Sequence, residues 1–120
     1  MRIFELEIEG NKYKACCGLR ALSELQKRFC SLKKFEEKIA PYSRKEGSDL
    51  QEDENIEDVD IDDLLYTAKL FLDEGAAATG GTSIADKLPF MSCNPFDLSV
   101  QLFNIYIESM IPENEEEEKN

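Results

Sequence analysis

The first 29 residues constrain the fold of this chain most, because they predict a β-hairpin that runs directly into a helix. Apolar and charged side chains alternate through residues 4–8 with the two-residue period of a strand, and the alternation returns in residues 13–17. Residues 9–12, Glu-Gly-Asn-Lys, lie between these stretches and have the composition of a tight turn. We therefore expect two short antiparallel strands before any helix.

Two helices are predicted after the hairpin. The first begins just beyond Gly18 and has apolar residues at helical spacing, namely Leu19, Leu22, Leu25, Phe29 and Leu32. Ser31 can cap a second, shorter helix, which ends before Pro41 because proline lacks the backbone donor. The apolar positions of this second helix are Leu32, Phe35 and Ile39.

A third helix is predicted from Asp60, whose carboxylate can cap it. Its apolar stripe consists of Ile61, Leu64, Leu65, Ala68, Phe71 and Leu72. We expect this helix to fray in the glycine-rich residues 75–81. A short turn then begins at Thr82 or Ser83 and ends at Pro89.

The last predicted helix lies between Asn94, a good cap, and Pro112. One of its faces consists of Phe96, Val100, Phe103, Ile107, Met110 and Ile111, and a second face consists of Leu98, Leu102, Ile105 and Tyr106. A helix with two apolar faces either lies centrally in its own domain, the ordinary position, or leaves one face for a partner. Under the second alternative, the candidate partner-binding residues are Leu98, Leu102, Ile105 and Tyr106.

These elements predict an α+β, mostly α-helical fold, in which a two-stranded antiparallel hairpin packs on a cluster of four to five helices. A single domain spans residues 1–111. Residues 41–59 lack apolar periodicity, which is typical of an acidic mobile loop, and residues 112–120 are interpreted as an acidic disordered tail.

The charge is unevenly distributed along the chain. Residues 1–45 carry 11 basic and 6 acidic side chains, whereas residues 46–120 carry 3 basic and 20 acidic ones. The net charge of −12 repels phosphate backbones, so we expect no binding to nucleic acid.

The sequence lacks the residues that several kinds of catalytic or ligand-binding site require. The chain has no histidine, which the common serine and cysteine hydrolases need as a base, and its four cysteines form no CxxC pair for zinc. A calcium loop starting at Asp58 would have Asp63 at its glycine position and Lys69 at its glutamate position. The glycines match neither a dinucleotide-binding pattern nor a P-loop. We therefore expect no enzyme activity, no metal and no cofactor.

No apolar run approaches the ~20 residues of a membrane span, and the charged N-terminal residues do not resemble a signal peptide. Four cysteines without a disulfide framework suit a reducing compartment. The expected location is the cytoplasm, without membrane association.

The residues from Phe4 to Phe29, FELEIEGNKYKACCGLRALSELQKRF, resemble the beginning of tail assembly chaperones from long-tailed bacteriophages and prophages. Members of that family begin with a hairpin of the form apolar-x-apolar-x-Gly-x-x-Tyr-x-apolar, followed by a helix reading Leu-x-Ala-Leu-x-Glu-Leu. Residues 62–72, DDLLYTAKLFL, are similar to the second long helix of the family. The likeness covers chiefly residues 4–32 and 60–73.

The resemblance implies a non-enzymatic protein in the cytoplasm of a bacterial host. Such a chaperone binds the long, hydrophobic tape measure protein and keeps it soluble until tail tube subunits assemble around it. The resemblance also implies the tail tube protein as a further partner and self-association of the chaperone, and family members often have a frameshifted longer form.

A second hypothesis is an acidic regulatory protein that blocks a basic site on a nucleic-acid-binding partner. Its carboxylates would take the place of phosphates, so its binding should collapse as the salt concentration rises from ~50 to ~500 mM. Contacts between apolar surfaces should survive the same change. Salt dependence therefore distinguishes the two hypotheses.

Overall fold

The computed structural model describes residues 2–40 and 59–111, and the predictions for residues 41–58 and 112–120 lie outside this part of the chain. The elements within residues 2–40 and 59–111 are two strands, four α-helices and a short 3-10 helix. In chain order these are β1 (Phe4–Ile8), β2 (Asn11–Ala15), α1 (Leu19–Phe29), α2 (Leu32–Ile39), α3 (Ile61–Thr79), the 3-10 helix (Ala85–Phe90) and α4 (Pro95–Ser109). The predicted α+β, mostly α-helical fold is confirmed.

The hairpin forms because its turn needs only two residues. Glu9 and Gly10 both have positive φ angles, 55° and 82°, as the central residues of a type I′ turn require. β2 therefore begins at Asn11, inside the predicted turn, and Asn11 pairs with Ile8 in an antiparallel register. Leu6 and Ile8 point into the core, as the alternation predicts.

The hairpin packs on α3 through an unusually close approach of backbone to backbone. A Cβ atom at Gly75 would overlap the carbonyl group of Lys14, so only glycine fits there. Just after β2, the amide of Cys16 donates to the carbonyl of Phe71 at 3.0 Å. α3 continues through Gly75 to Thr79, so the prediction that it frays in residues 75–81 is wrong. β2 packs directly against Gly75, which is buried, and this packing offsets the low helix propensity of glycine.

The open edge of β1 is blocked by α4. The Gln101 side chain accepts from the Glu7 amide at 2.8 Å and donates to the Glu7 carbonyl at 2.9 Å. One side-chain amide thus satisfies both backbone groups at the point where another strand would pair. The polar position of Gln101 on α4 therefore has a structural explanation.

α1 and α2 form the outer layer against α3 and α4. Ser31 caps α2 as predicted, since its hydroxyl accepts from the Lys34 amide at 3.1 Å. Leu19, which was expected on the buried stripe of α1, is instead almost fully exposed. The buried side chains of α1 are Ala21, Leu25 and Phe29, and Leu19 lies off their arc of the helix.

α3 is the central helix. Asp60 caps α3 as predicted. The buried side chains of α3 extend over more than half of the circumference of the helix. Two of these are carboxylates: Glu74 accepts from Arg20 at 2.6 Å, and Asp63 accepts from Arg28 at 3.0 Å. Because both arginines come from α1, these ion pairs compensate the buried charges and hold α1 against α3.

Before α4, the 3-10 helix includes Pro89 rather than ending at it. Asn94 caps α4 by accepting from the amides of Phe96 and Asp97, and Pro95 occupies the first helical position, as predicted. α4 ends at Ser109, before Pro112.

Candidate functional site

The four residues proposed as an exposed partner-binding face are in the core. Leu98, Leu102, Ile105 and Tyr106 are all buried, so the prediction that they form a free surface is wrong. The helical pattern located this face correctly but could not show that β1, α2 and α3 pack against α4.

Tyr106 shows how this face of α4 packs in the core. Its ring packs edge-on against Phe35, with 4.9 Å between centroids, and its hydroxyl donates to Glu36 at 2.6 Å. The neighbouring Ser99 is also buried and donates to the carbonyl of Ile39. These contacts join α4 to α2.

The opposite apolar face of α4 is the one that reaches the surface. We call it the α4 stripe, and it comprises Phe96, Val100, Phe103, Ile107 and Met110, with Ile111 just beyond the helix. The first three are half-buried, whereas Ile107, Met110 and Ile111 are 38%, 45% and 46% exposed. Alternating spacings of four and three residues are those of a helix-pairing seam.

The α4 stripe is held rigidly by the core beneath it. The ring of Phe103 stacks on that of Tyr106 with 6.0 Å between centroids, and Tyr106 is itself fixed by Phe35 and Glu36. At the other border of the stripe, Arg2 donates to the carbonyl of Glu108 at 3.0 Å. A preformed surface of this kind loses little conformational entropy when a partner binds.

A second apolar feature lies near the beginning of α4, and we call it the groove. It has a volume of about 140 Å³ and is lined by Ile8, Ile61, Leu64, Leu65, Leu88, Pro89, Met91, Cys93, Pro95 and Leu98. Ile61, in this lining, is 51% exposed, and Phe90, between two lining residues, is 88% exposed. Of the four predicted site residues, only Leu98 reaches this lining.

Two carboxylates lie close to Cys93, a residue in the wall of the groove. Burial, and then the negative charges of Asp97 and Glu9, raise the pKa of the Cys93 thiol above its ordinary value. Glu9 is fixed in place because it accepts from the Ser92 amide at 2.7 Å. The Cys93 thiol therefore loses its proton at a higher pH than an ordinary cysteine does.

The two buried acids of the described residues, Asp63 and Glu74, are each paired with an arginine. Asp63 and Glu74 each accept from an arginine of α1, and Arg28 also lies over the ring of Tyr66 at 4.4 Å. No group of three or more potential metal ligands occurs within residues 2–40 and 59–111. The described carboxylates that lie deepest are thus occupied by structural contacts.

Within the same two ranges, none of the helices combines the length and apolar character required to traverse a bilayer.

Comparisons of the chain with models of protein families, with curated proteins and with solved structures found no match.

Proposed function

We propose that this protein is a non-enzymatic tail assembly chaperone of a long-tailed phage or prophage, and that it binds the tape measure protein through the α4 stripe. The observation that carries the proposal is the exposed apolar face of α4, which a rigid core supports. The resemblance of residues 4–29 and 62–72 to that family supplies the identity of the partner.

The spacing of the stripe supports a helical partner. Side chains that repeat every four and three residues interdigitate with a matching row on a second helix that lies almost parallel to the first. Tape measure proteins, by the resemblance, are long and hydrophobic, and an amphipathic helix of that kind would bury the stripe residues Ile107 and Met110.

The net charge of −12 supports the second part of the role. A chaperone that covers apolar segments must keep the complex dispersed, and like charges on neighbouring complexes repel one another. Once tail tube subunits compete for the tape measure protein, contacts made by one helical face can be released. Self-association through the same stripe would protect the chaperone while it has no partner.

The test is co-expression with the tape measure protein encoded in the same genome, followed by co-purification and measurement of the soluble fraction. Ile107→Asp should weaken binding about tenfold to a hundredfold, because it places a charge in an apolar interface. Asn104→Asp is the matched control, since it adds the same charge to the exposed polar side of α4. Far-UV circular dichroism should show that both variants remain folded.

Two outcomes would contradict the proposal. One is an Ile107→Asp variant that binds and solubilises the tape measure protein as well as the unmodified chain does. The other is a complex that dissociates when NaCl rises from ~50 to ~500 mM, because that result belongs to charge-based contacts and would favour the acidic regulator.

A further inference from the structure

We infer that the groove binds a peptide segment that carries one large apolar side chain flanked by lysine or arginine. This binding site is separate from the α4 stripe and does not depend on the proposed function. It joins the tip of the hairpin, the first turns of α3 and the residues around the 3-10 helix.

The size of the groove sets the size of the occupant. A cavity of about 150 Å³ lined by apolar side chains accommodates one benzene molecule, and the groove has about 140 Å³. One side chain such as Leu, Ile, Met or Phe therefore fits, whereas a whole helical face does not.

The lining provides an adaptable apolar contact surface. Leu64, Leu88 and Leu98 are buried and form its floor, while Ile61 and Met91 remain in contact with water. Methionine adapts its shape to different apolar ligands. Covering Ile61 and Met91 would remove their apolar surface from water, which is the driving force for an apolar anchor.

The charges around the groove select what flanks this anchor. Glu9, Asp62 and Asp97 are exposed, and each is adjacent in the chain to a lining residue. Asp60 is also exposed and precedes the lining residue Ile61. Against these four carboxylates stands one basic residue next to the lining, Lys87, which precedes Leu88. This excess of carboxylates attracts a basic segment and repels an acidic one.

Two of these carboxylates are held in fixed positions. The Glu9 side chain accepts from the Ser92 amide, and Asp97 accepts from Gln101 at 3.2 Å. Glu9 and Asp97 also act on Cys93 in the groove wall. Fixed carboxylates beside an apolar cavity complement an anchor residue with neighbouring cations.

The experiment uses the full chain and a panel of fluorescently labelled 12-residue peptides. Each peptide has one central Leu, Ile, Met or Phe with lysine or arginine on one side or on both sides, and a matching set has glutamate instead. Fluorescence anisotropy at ~50 mM salt measures the dissociation constants, and methyl NMR shifts of Ile61, Leu65 and Met91 report where the peptide binds.

Basic peptides should bind at least ~10-fold more tightly than their glutamate counterparts, with shifts confined to the groove methyl groups. Ile61→Ser should weaken binding about tenfold, as expected for the loss of roughly 1.4 kcal/mol of apolar contact. Asp62→Asn should weaken it about twofold to threefold at low salt. Asp73→Asn is the matched control, because Asp73 is exposed about 16 Å further along α3 than Asp62.

The inference is overturned if no basic peptide binds below ~1 mM, or if glutamate-flanked peptides bind equally well. It is also overturned if the shifts fall on Ile107 and Met110, which would assign the peptide to the α4 stripe. A second copy of the chain is the other candidate occupant, and sedimentation equilibrium tests for it. If the protein dimerises without peptide and the NMR signals of the groove methyl groups shift, a second copy fills the groove and the inference is overturned. Ile107 lies outside the groove, so peptide affinity and the groove methyl shifts should be the same in Ile107→Asp whether or not this variant binds the tape measure protein.

Discussion

α3 and α4 are both long helices rich in apolar residues, but they use that surface differently. α3 is buried around more than half of its circumference, and its two buried carboxylates are paired with arginines of α1. α4 buries one apolar face and keeps a second, the α4 stripe, in partial contact with water. Beyond its first turn at the groove, α3 uses its apolar residues for the fold, whereas α4 has a whole apolar face that the fold does not need.

The difference shows where function is to be sought in a protein of this kind. Buried carboxylates, which often mark catalytic sites, are structural in α3 because each has a cationic partner. The unusual feature is apolar surface beyond what the core requires, as in the α4 stripe and the groove. Changes at the buried positions of α3 should therefore reduce stability, and changes in the α4 stripe or at the exposed residues of the groove should affect binding.

The largest effect is expected at Gly75, where α3 meets β2. Gly75→Ala places a methyl group on the backbone of Lys14, which cannot move without separating the hairpin from α3. We expect a loss of about 3 kcal/mol or more in the free energy of unfolding, measured by urea denaturation.

Gly81→Ala is the control for Gly75→Ala. The nearest atom to a Cβ at Gly81 is the Thr79 hydroxyl at 3.5 Å, which is an ordinary contact, so this variant should differ from the unmodified chain by less than about 0.5 kcal/mol. Equal stabilities of the two variants would show that β2 does not lie on α3 at Gly75.

The second prediction compares the two faces of α4 directly. Leu102→Ala creates a cavity in the core and should cost about 2–5 kcal/mol, whereas Ile107→Ala on the α4 stripe should cost less than about 1 kcal/mol. Thermal or urea denaturation of the two variants measures this difference.

The comparison of the two α4 faces fails if Ile107→Ala is as damaging as Leu102→Ala. That outcome would mean that the α4 stripe is part of the core of the free protein, and the proposed partner surface would be lost with it.

The smallest effect concerns Cys17, which lies where α3 and α4 come together. Burial, followed by the charges of Glu74 and Cys16, raises the pKa of the Cys17 thiol to about 12, while a hydrogen bond with Ser109 acts in the opposite direction. Well below pH 9 the Cys17 thiol is protonated in both the folded and the unfolded chain. Its contribution to the free energy of unfolding is then complete. As the pH rises from 9 towards 12, the unfolded chain loses this proton first, so stability falls.

Cys17 alone should lower the free energy of unfolding by about 1 kcal/mol between pH 8 and pH 10. Urea denaturation across this range should show a shallower decline for Cys17→Ala than for the unmodified chain. Cys30→Ser, which removes an exposed thiol, should keep the original slope. If Cys17→Ala and the unmodified chain decline in parallel, the thiol is not buried between the two helices.

Local sequence patterns determined the elements of this protein and their capped ends. The alternation in β1, the caps Ser31, Asp60 and Asn94, and the mostly helical class all follow from interactions within a few residues of one another. Such interactions can be read from sequence because both partners are close along the chain.

The tertiary structure alone decided which apolar faces are buried. The pattern of α4 gives two faces, and contacts with β1, α2 and α3 select Leu102 for the core while Ile107 remains at the surface. Gly75 was predicted to begin a stretch in which the helix frays. Its actual role, the close approach of α3 to β2, depends on Lys14, a residue 61 positions earlier. The groove likewise combines three distant segments. Burial depends on contacts between residues far apart in sequence, and a periodic pattern shows that a helix has an apolar face without showing what will cover it.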